Sequence, residues 1–269
     1  MTAPEEQPEP HFQYVWDWVG EWLTPTIRRK INPMAGKGLC WDPAWWRYPE
    51  VLARCFALHA AWEEAVEPPS GPRPPINGQP PQPAGSTFFI SHLEPHLRAI
   101  LDGDTGPMSD AGPGNGFEGH PMLPMAPAPG DVREFYATYN MGSVGSMDPL
   151  FADVWSWMEN WFRQVVRRKI IPGSNKGLAW DENWFLYPEV VARFQSLHAT
   201  WESARVGSKS AMSTWWVSHF DNQWRIITDN DTGPMSGEKG GATVGHPALV
   251  IEEMPFYIKR KIAPNLPAA

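Results

Sequence analysis

The chain contains the same unit twice. Val15 to Glu63 aligns without gaps on Val154 to Glu202, at an offset of 139 and with 26 identities in 49 pairs. Phe88 to Ser109 aligns on Trp215 to Ser236 at an offset of 127, with 11 identities in 22. Repetition at this level means a tandem duplication, and each copy must find a core of its own. The offset falls by 12 because the first copy carries a longer, Pro-rich insertion at about 67–86. Proline lacks the amide donor and fixes φ, so that insertion is neither helix nor central strand. At 269 residues the chain has room for two domains of this size. The expected division is a disordered N-terminal tail over 1–12, a first repeat domain over 13–122, a linker over 123–148, a second repeat domain over 149–250 and a basic C-terminal tail over 251–269.

Within each copy the apolar spacing is helical. Val15, Trp18 and Trp22, matched by Val154, Trp157 and Trp161, recur at three- and four-residue intervals, and Trp16 and Val19 widen the stripe. The segment K-G-L-x-W-D then leads to a short helix that Tyr48–Pro49 should break, because a residue before proline avoids the helical region. Pro49 opens a longer helix with Val51, Cys55, Leu58 and Trp62 inward, matched by Val190, Phe194, Leu197 and Trp201. A third helix is predicted from about Thr87 to Leu101 and from Ser213 to Thr228. Each ends in a turn, D-G-D-T-G-P-M or D-N-D-T-G-P-M. The recurrent tryptophans, Trp16, Trp18, Trp22, Trp41, Trp45 and Trp62, read as core rather than as stacking platforms. Trp46 becomes Phe185, a change that an apolar pocket accepts. The expected fold is mostly α: two homologous Trp-rich helical domains in tandem, with Pro-rich loops, packed as a pseudo-dimer like a fused two-fold pair.

Composition limits the function. Net charge is −8, which argues against a wholesale nucleic-acid binder. No apolar run approaches the length of a membrane helix, and the acidic, Pro-rich start lacks the basic and apolar regions of a signal peptide. Two cysteines, Cys40 and Cys55, exclude a disulfide framework. A cytoplasmic protein without a membrane partner or cofactor is expected.

Three sets of residues carry possible chemistry. His59, His92 and His120 correspond to His198, His219 and His246, and three histidines per copy could hold a catalytic zinc. Their spacing is loose, with no H-x-x-x-H pair, and a border histidine with one hydrogen-bond partner is the simpler reading of His59 and His198. The pair Asp102 and Asp104, repeated as Asp229 and Asp231, lacks the glutamate of a calcium loop and reads as a turn that bonds its own backbone. The basic triplets Arg28, Arg29, Lys30 and Arg167, Arg168, Lys169 recur in register, and Lys259, Arg260, Lys261 repeats them outside it. Three contiguous cations cannot share one helical face, so each triplet should leave charge in water, where it attracts an anionic partner surface.

The stretch W-D-P-A-W-W-R-Y-P-E-V-L-A-R (Trp41 to Arg54), followed by Phe88–His92, Asp102–Pro107 and Gly119–His120, resembles an uncharacterised actinobacterial family called domain of unknown function 4913. The match lies on Trp45, Trp46, Pro49, Glu50, His92, Gly106, Pro107 and His120, and on Trp184, Pro188, Glu189, His219, Gly233, Pro234 and His246. The family pattern carries Cys where this chain has Asp42 and Asp181, and His where it has Tyr48 and Tyr187. It has a second Cys that is absent here. If the family holds a metal through those groups, both copies have lost it. The resemblance implies a phage or mobile-element context and no activity. The expected function is a non-catalytic binding or adaptor protein. It would be a monomer apart from its internal pseudo-dimer, with an unknown protein partner and only a weak case for nucleic acid. The alternatives are a metal-dependent hydrolase with one histidine trio per copy, and a structural virion component.

Overall fold

The computed structural model describes residues 9–31, 38–67, 84–112, 116–138, 148–170, 177–236 and 246. Seven helices make up the described fold, with three isolated β-bridges and no strand among these residues. Copy one contributes α1 (15–26), α2 (Pro49–Val66) and α3 (84–100), followed by α4 (Gly130–Thr138). Copy two contributes α5 (154–165), α6 (Pro188–Arg205) and α7 (211–227). The copies have the same anatomy. A short 3-10 turn, Trp45–Arg47 or Trp184–Leu186, precedes each long helix. Tyr48 and Tyr187 are extended, and Pro49 and Pro188 start α2 and α6, so the break falls where proline requires it. The first and third helix of each copy widen into a π-helical segment in the same register: Val19–Leu23 and Met158–Phe162, then Phe88–Leu93 and Trp215–Phe220.

Each copy has its own core. In copy one Val15, Trp18, Val51, Cys55, Leu58, Phe88 and Ile100 are buried together. In copy two Val154, Trp157, Val190, Phe194, Leu197, Trp215 and Ile227 take those places. Trp18 stacks on Trp22 at 5.5 Å and Trp157 on Trp161 at 5.3 Å, as offset aromatic pairs do. The end of the third helix is tied to the K-G-L segment by Cys40 N–H to Leu101 O and Ala179 N–H to Thr228 O, both 2.9 Å. The expected tail and linker are partly structured. His11 and Phe12 donate their amides to Glu63, and Leu150 and Phe151 donate theirs to Glu202. The linker crosses to copy two. Leu123 is buried in that core, and Met125, Ala128, Val132 and Tyr136 pack against it.

The copies pack on each other, though the contact is not two-fold. Copy one uses the outer face of α2, with His92 and His96 of α3, and copy two uses the triplet segment and α7. Arg54 on α2 reaches Asp221 on α7 at 2.5 Å, and Arg168 reaches Glu50 at 2.5 Å. Under a two-fold, Arg193 and Arg29 would make the reciprocal contacts with Glu94 and Glu189. Instead Arg193 bonds Glu189 and Gln223 of its own copy, and Arg29 bonds Glu94 of its own copy. The interface is therefore heterologous, head to tail.

Candidate functional site

The first basic triplet follows the end of α1. Ile27 leaves the helix at φ −92°, ψ 113°, so Arg28, Arg29 and Lys30 lie beyond its end, and all three are exposed. Cations just past a helix C-terminus suit its dipole. Beside them lies a groove of about 360 Å³, with Leu23, Ile27, Ile31, Trp41, Leu97 and Leu101 as apolar walls and Arg28 and Arg29 on its rim. Copy two has Trp224 in place of Leu97, and that indole packs on Trp180 at 5.9 Å. The groove on copy one offers apolar surface beside positive charge.

The second triplet is placed differently, and the expectation of a partner patch is corrected there. Arg168 is buried against copy one through Glu50, and Lys169 pairs with Asp110 at 2.6 Å. Arg168 is thus not free to meet an outside partner, while Lys169 keeps 29% of its side chain exposed beside Asp110. Arg167 is half-buried and donates to Gln164 O. Lys259, Arg260 and Lys261 lie outside the described residues.

The histidines do not converge. His59 sits 3.3 Å from Glu63 and against the Trp18 ring. His198 bonds Phe151 O at 3.1 Å. His92 contacts the Ser213 hydroxyl of copy two at 2.8 Å. His120 contacts Ser109 Oγ at 2.8 Å and His246 contacts Ser236 Oγ at 2.9 Å, while His219 is exposed. Burial lowers the pKa of His59, His92, His120 and His198. The zinc trio is therefore dispersed over separate partners. Among the described residues, no three His, Cys, Asp or Glu side chains are grouped to hold a metal. The Ser109–His120 pair resembles half of a nucleophilic dyad, and Ser109 is fully buried.

Asp42 and Tyr48 meet in space. The Tyr48 hydroxyl donates to Asp42 at 2.6 Å, and Tyr187 to Asp181 at 2.7 Å. Burial and the carboxylate beside it push both phenols up, so they stay protonated. In this chain the family's Cys and His positions are thus joined by a hydrogen bond. Asp102 and Asp229 close their own turns, each accepting an amide at 2.9 Å and a threonine hydroxyl at 2.6 Å. Glycine is required at Gly233, where a Cβ would lie 2.4 Å from Asp229 O. Both cysteines are buried, and burial raises the Cys40 thiol to about 11 and the Cys55 thiol to about 12, out of nucleophilic range.

A further cleft of about 490 Å³ lies between the copies, lined by Arg98, Thr105, Arg168, Asp221 and Arg225 among others. Its charges are mixed, and Arg168 and Asp221 are already paired across the interface.

Sequence reasoning missed two features. Arg54 lies off the apolar stripe of α2 and is nevertheless fully buried, flat against Trp216 at 4.4 Å. Its identity with Arg193 gives no signal, because only one of the two meets a partner copy. The second miss concerns Trp16 and Trp46, read as apolar-pocket residues. They are 56% and 57% exposed, while their counterparts Trp155 and Phe185 are 9% and 5% exposed. For Trp155 the linker supplies the cover. Tyr136 packs on Trp155 at 6.5 Å and Arg133 lies over it at 5.8 Å, in copy two alone.

A family model described as "Domain of unknown function (DUF4913)" matches residues 12–129 and 151–251, two segments in tandem. No curated protein and no solved structure matches the chain.

Proposed function

The chain belongs to the DUF4913 family as a tandem duplicate, and from that premise we propose that it is a non-catalytic binding or adaptor protein of an actinobacterial phage or mobile element. The observation that carries this reading is the groove on copy one. Its walls are apolar and its rim is Arg28 and Arg29, with Lys30 exposed alongside. Such a surface fits an acidic protein segment that also carries apolar side chains. Apolar burial supplies affinity, and the cations supply attraction at a distance that salt screens. A nucleic acid fits less well, since three cations on a chain of net charge −8 make a small electrostatic footprint.

Function resides in the first triplet, where the charges face solvent, and not in the second. The test is the double variant Arg28→Gln, Lys30→Gln, which leaves the Arg29–Glu94 pair intact. Exposed substitutions of this kind change stability by about 0.5 kcal/mol or less, so the variant keeps its melting temperature. Affinity capture from extract of an actinobacterial host should yield a protein that the native chain retains at low salt, releases at high salt, and that the variant fails to retain. Equal capture by both proteins overturns the reading. Metal content of the purified protein tests the rival hydrolase: near-stoichiometric zinc per copy would restore it.

A further inference from the structure

We propose that chains associate head to tail, with copy two of one chain docking on copy one of the next through the same interface that joins the two copies within a chain. This goes beyond the adaptor reading and does not depend on Arg28 or Lys30; it takes Arg29 of the same segment, so an associated chain leaves Arg28 and Lys30 for another partner.

The internal interface is built on a line of four charges. Arg168 bonds Glu50, Glu50 bonds Arg54 at 2.9 Å, and Arg54 bonds Asp221. Glu50 and Arg54 are fully buried. Two residues of the line come from α2 of copy one, and two come from the triplet segment and α7 of copy two. Because the contact is heterologous, each set of charges recurs once without a partner from the other copy. The repeat counterpart of Glu50 and Arg54 is Glu189 and Arg193, on α6. The counterpart of Arg168 and Asp221 is Arg29 and Glu94, on copy one. All four charges are kept in sign and position, and each half closes on itself in the isolated chain: Arg193 to Glu189 at 2.7 Å, and Arg29 to Glu94 at 2.6 Å. Glu189 is 55% exposed where Glu50 is 0% exposed.

The apolar surroundings follow the charges. Trp216, buried beneath Arg54, corresponds to Phe89, which is 46% exposed, and the neighbouring Ile90 is 71% exposed. Trp16, stacked on Tyr14, and Trp46 are more than half exposed, where Trp155 lies under Tyr136 and Arg133 of the segment trailing copy one and Phe185 is buried. Copy one therefore offers an end that accepts what copy two carries: its charges and its α6 face. Joining them forms the line Arg29, Glu189, Arg193, Glu94 across two chains. Repeating a heterologous contact builds an open filament, or a ring if the rotation closes.

The experiment is sedimentation velocity on the full chain from about 1 to 200 µM at low salt, with the single variants Arg193→Glu and Glu94→Arg. The native chain is expected to rise in mass above one chain as concentration increases. Each single variant opposes like charges across the contact and should stay at the mass of one chain, a loss of at least tenfold in association. Both positions are at least partly exposed, and circular dichroism and melting temperature verify that the variants fold. The decisive arm is a one-to-one mixture of the two variants. Each variant's altered end meets the other's altered end as a reversed pair, and the remaining ends meet as native pairs, so the mixture regains association. A native chain that stays at the mass of one chain up to 200 µM overturns the proposal. So does association that both variants retain, or one that the mixture does not restore.

Discussion

At the scale of single residues, the strongest constraint falls on His96. It is fully buried, with Nε2 3.1 Å from Ser213 Oγ of copy two. Desolvation first, then the Arg54 cation and His92, hold its pKa well below the usual imidazole value. The fold therefore keeps His96 neutral, whereas an unfolded imidazole takes a proton near pH 6.5. Below that pH the unfolded chain binds a proton that the folded chain refuses, so stability is full above about pH 6.5 and falls as pH drops. The slope is up to about 1.4 kcal/mol per pH unit for each such histidine. Copy two carries Gln223 at this position, and a glutamine amide at position 96 keeps a neutral polar group within reach of Ser213. Urea titrations at pH 7, 6 and 5 should give the variant a shallower loss of stability on acidification, by about one proton's worth. An unchanged slope would place the acid sensitivity in the other buried histidines. The sequence could not single out His96, because its helical spacing is unremarkable and its burial comes from the other copy. The Tyr48–Asp42 bond was legible only as a pair of departures from a family pattern, and their contact across six residues required the fold.

At the scale of elements, most of the helices were legible and their partners were not. Pro49 and Pro188 fix the start of the long helices, and the D-x-D-T-G-P turns fix the end of the third ones; these are local rules and they hold. The π-helical segments were not legible, since the periodicity of Val15, Trp18 and Trp22 is compatible with an ordinary helix. Nor was α4, whose apolar positions Val132 and Tyr136 span a single turn and gain meaning only against Trp155. A device that both copies share holds the segment before each first helix. Glu202, fully buried at its side chain, accepts the Leu150 and Phe151 amides at 3.0 and 2.8 Å and Arg205 at 3.1 Å. These bonds hold its pKa low despite burial. Phe151 is thereby pressed on Trp201 at 5.6 Å, as Phe12 is on Trp62 at 5.4 Å. A charged hydrogen bond contributes about 1.5–3 kcal/mol. Glu202→Ala should cost about 2–4 kcal/mol in denaturant unfolding and speed hydrogen exchange at Leu150 and Phe151 selectively. Protection unchanged at those two amides would show that packing, not the carboxylate, holds the segment.

At the scale of the whole molecule, two nearly identical units occupy different environments, which an alignment cannot reveal. Glu50 and Arg54 match Glu189 and Arg193 in the repeat. The heterologous contact gives one pair a buried network and the other an i,i+4 pair on a solvated helix. Physical chemistry separates them sharply. Removing one member of a buried ion network leaves its partners desolvated and unpaired, at a cost of about 3–5 kcal/mol. Removing one member of an exposed i,i+4 pair costs about 0.3–0.5 kcal/mol. Arg54→Ala strands Glu50 and Asp221 between the copies and also takes the guanidinium off the Trp216 face. Arg193→Ala leaves Glu189 in water. Dilute protein should therefore unfold in urea about 3–5 kcal/mol less stably with Arg54→Ala and within about 1 kcal/mol of native with Arg193→Ala. In Arg54→Ala the loss should first separate the copies, so that unfolding monitored by tryptophan fluorescence and by circular dichroism no longer coincides. Equal effects of the two substitutions would mean that the copies do not hold each other through this line of charges, and the asymmetry on which the head-to-tail arrangement rests would fall with it.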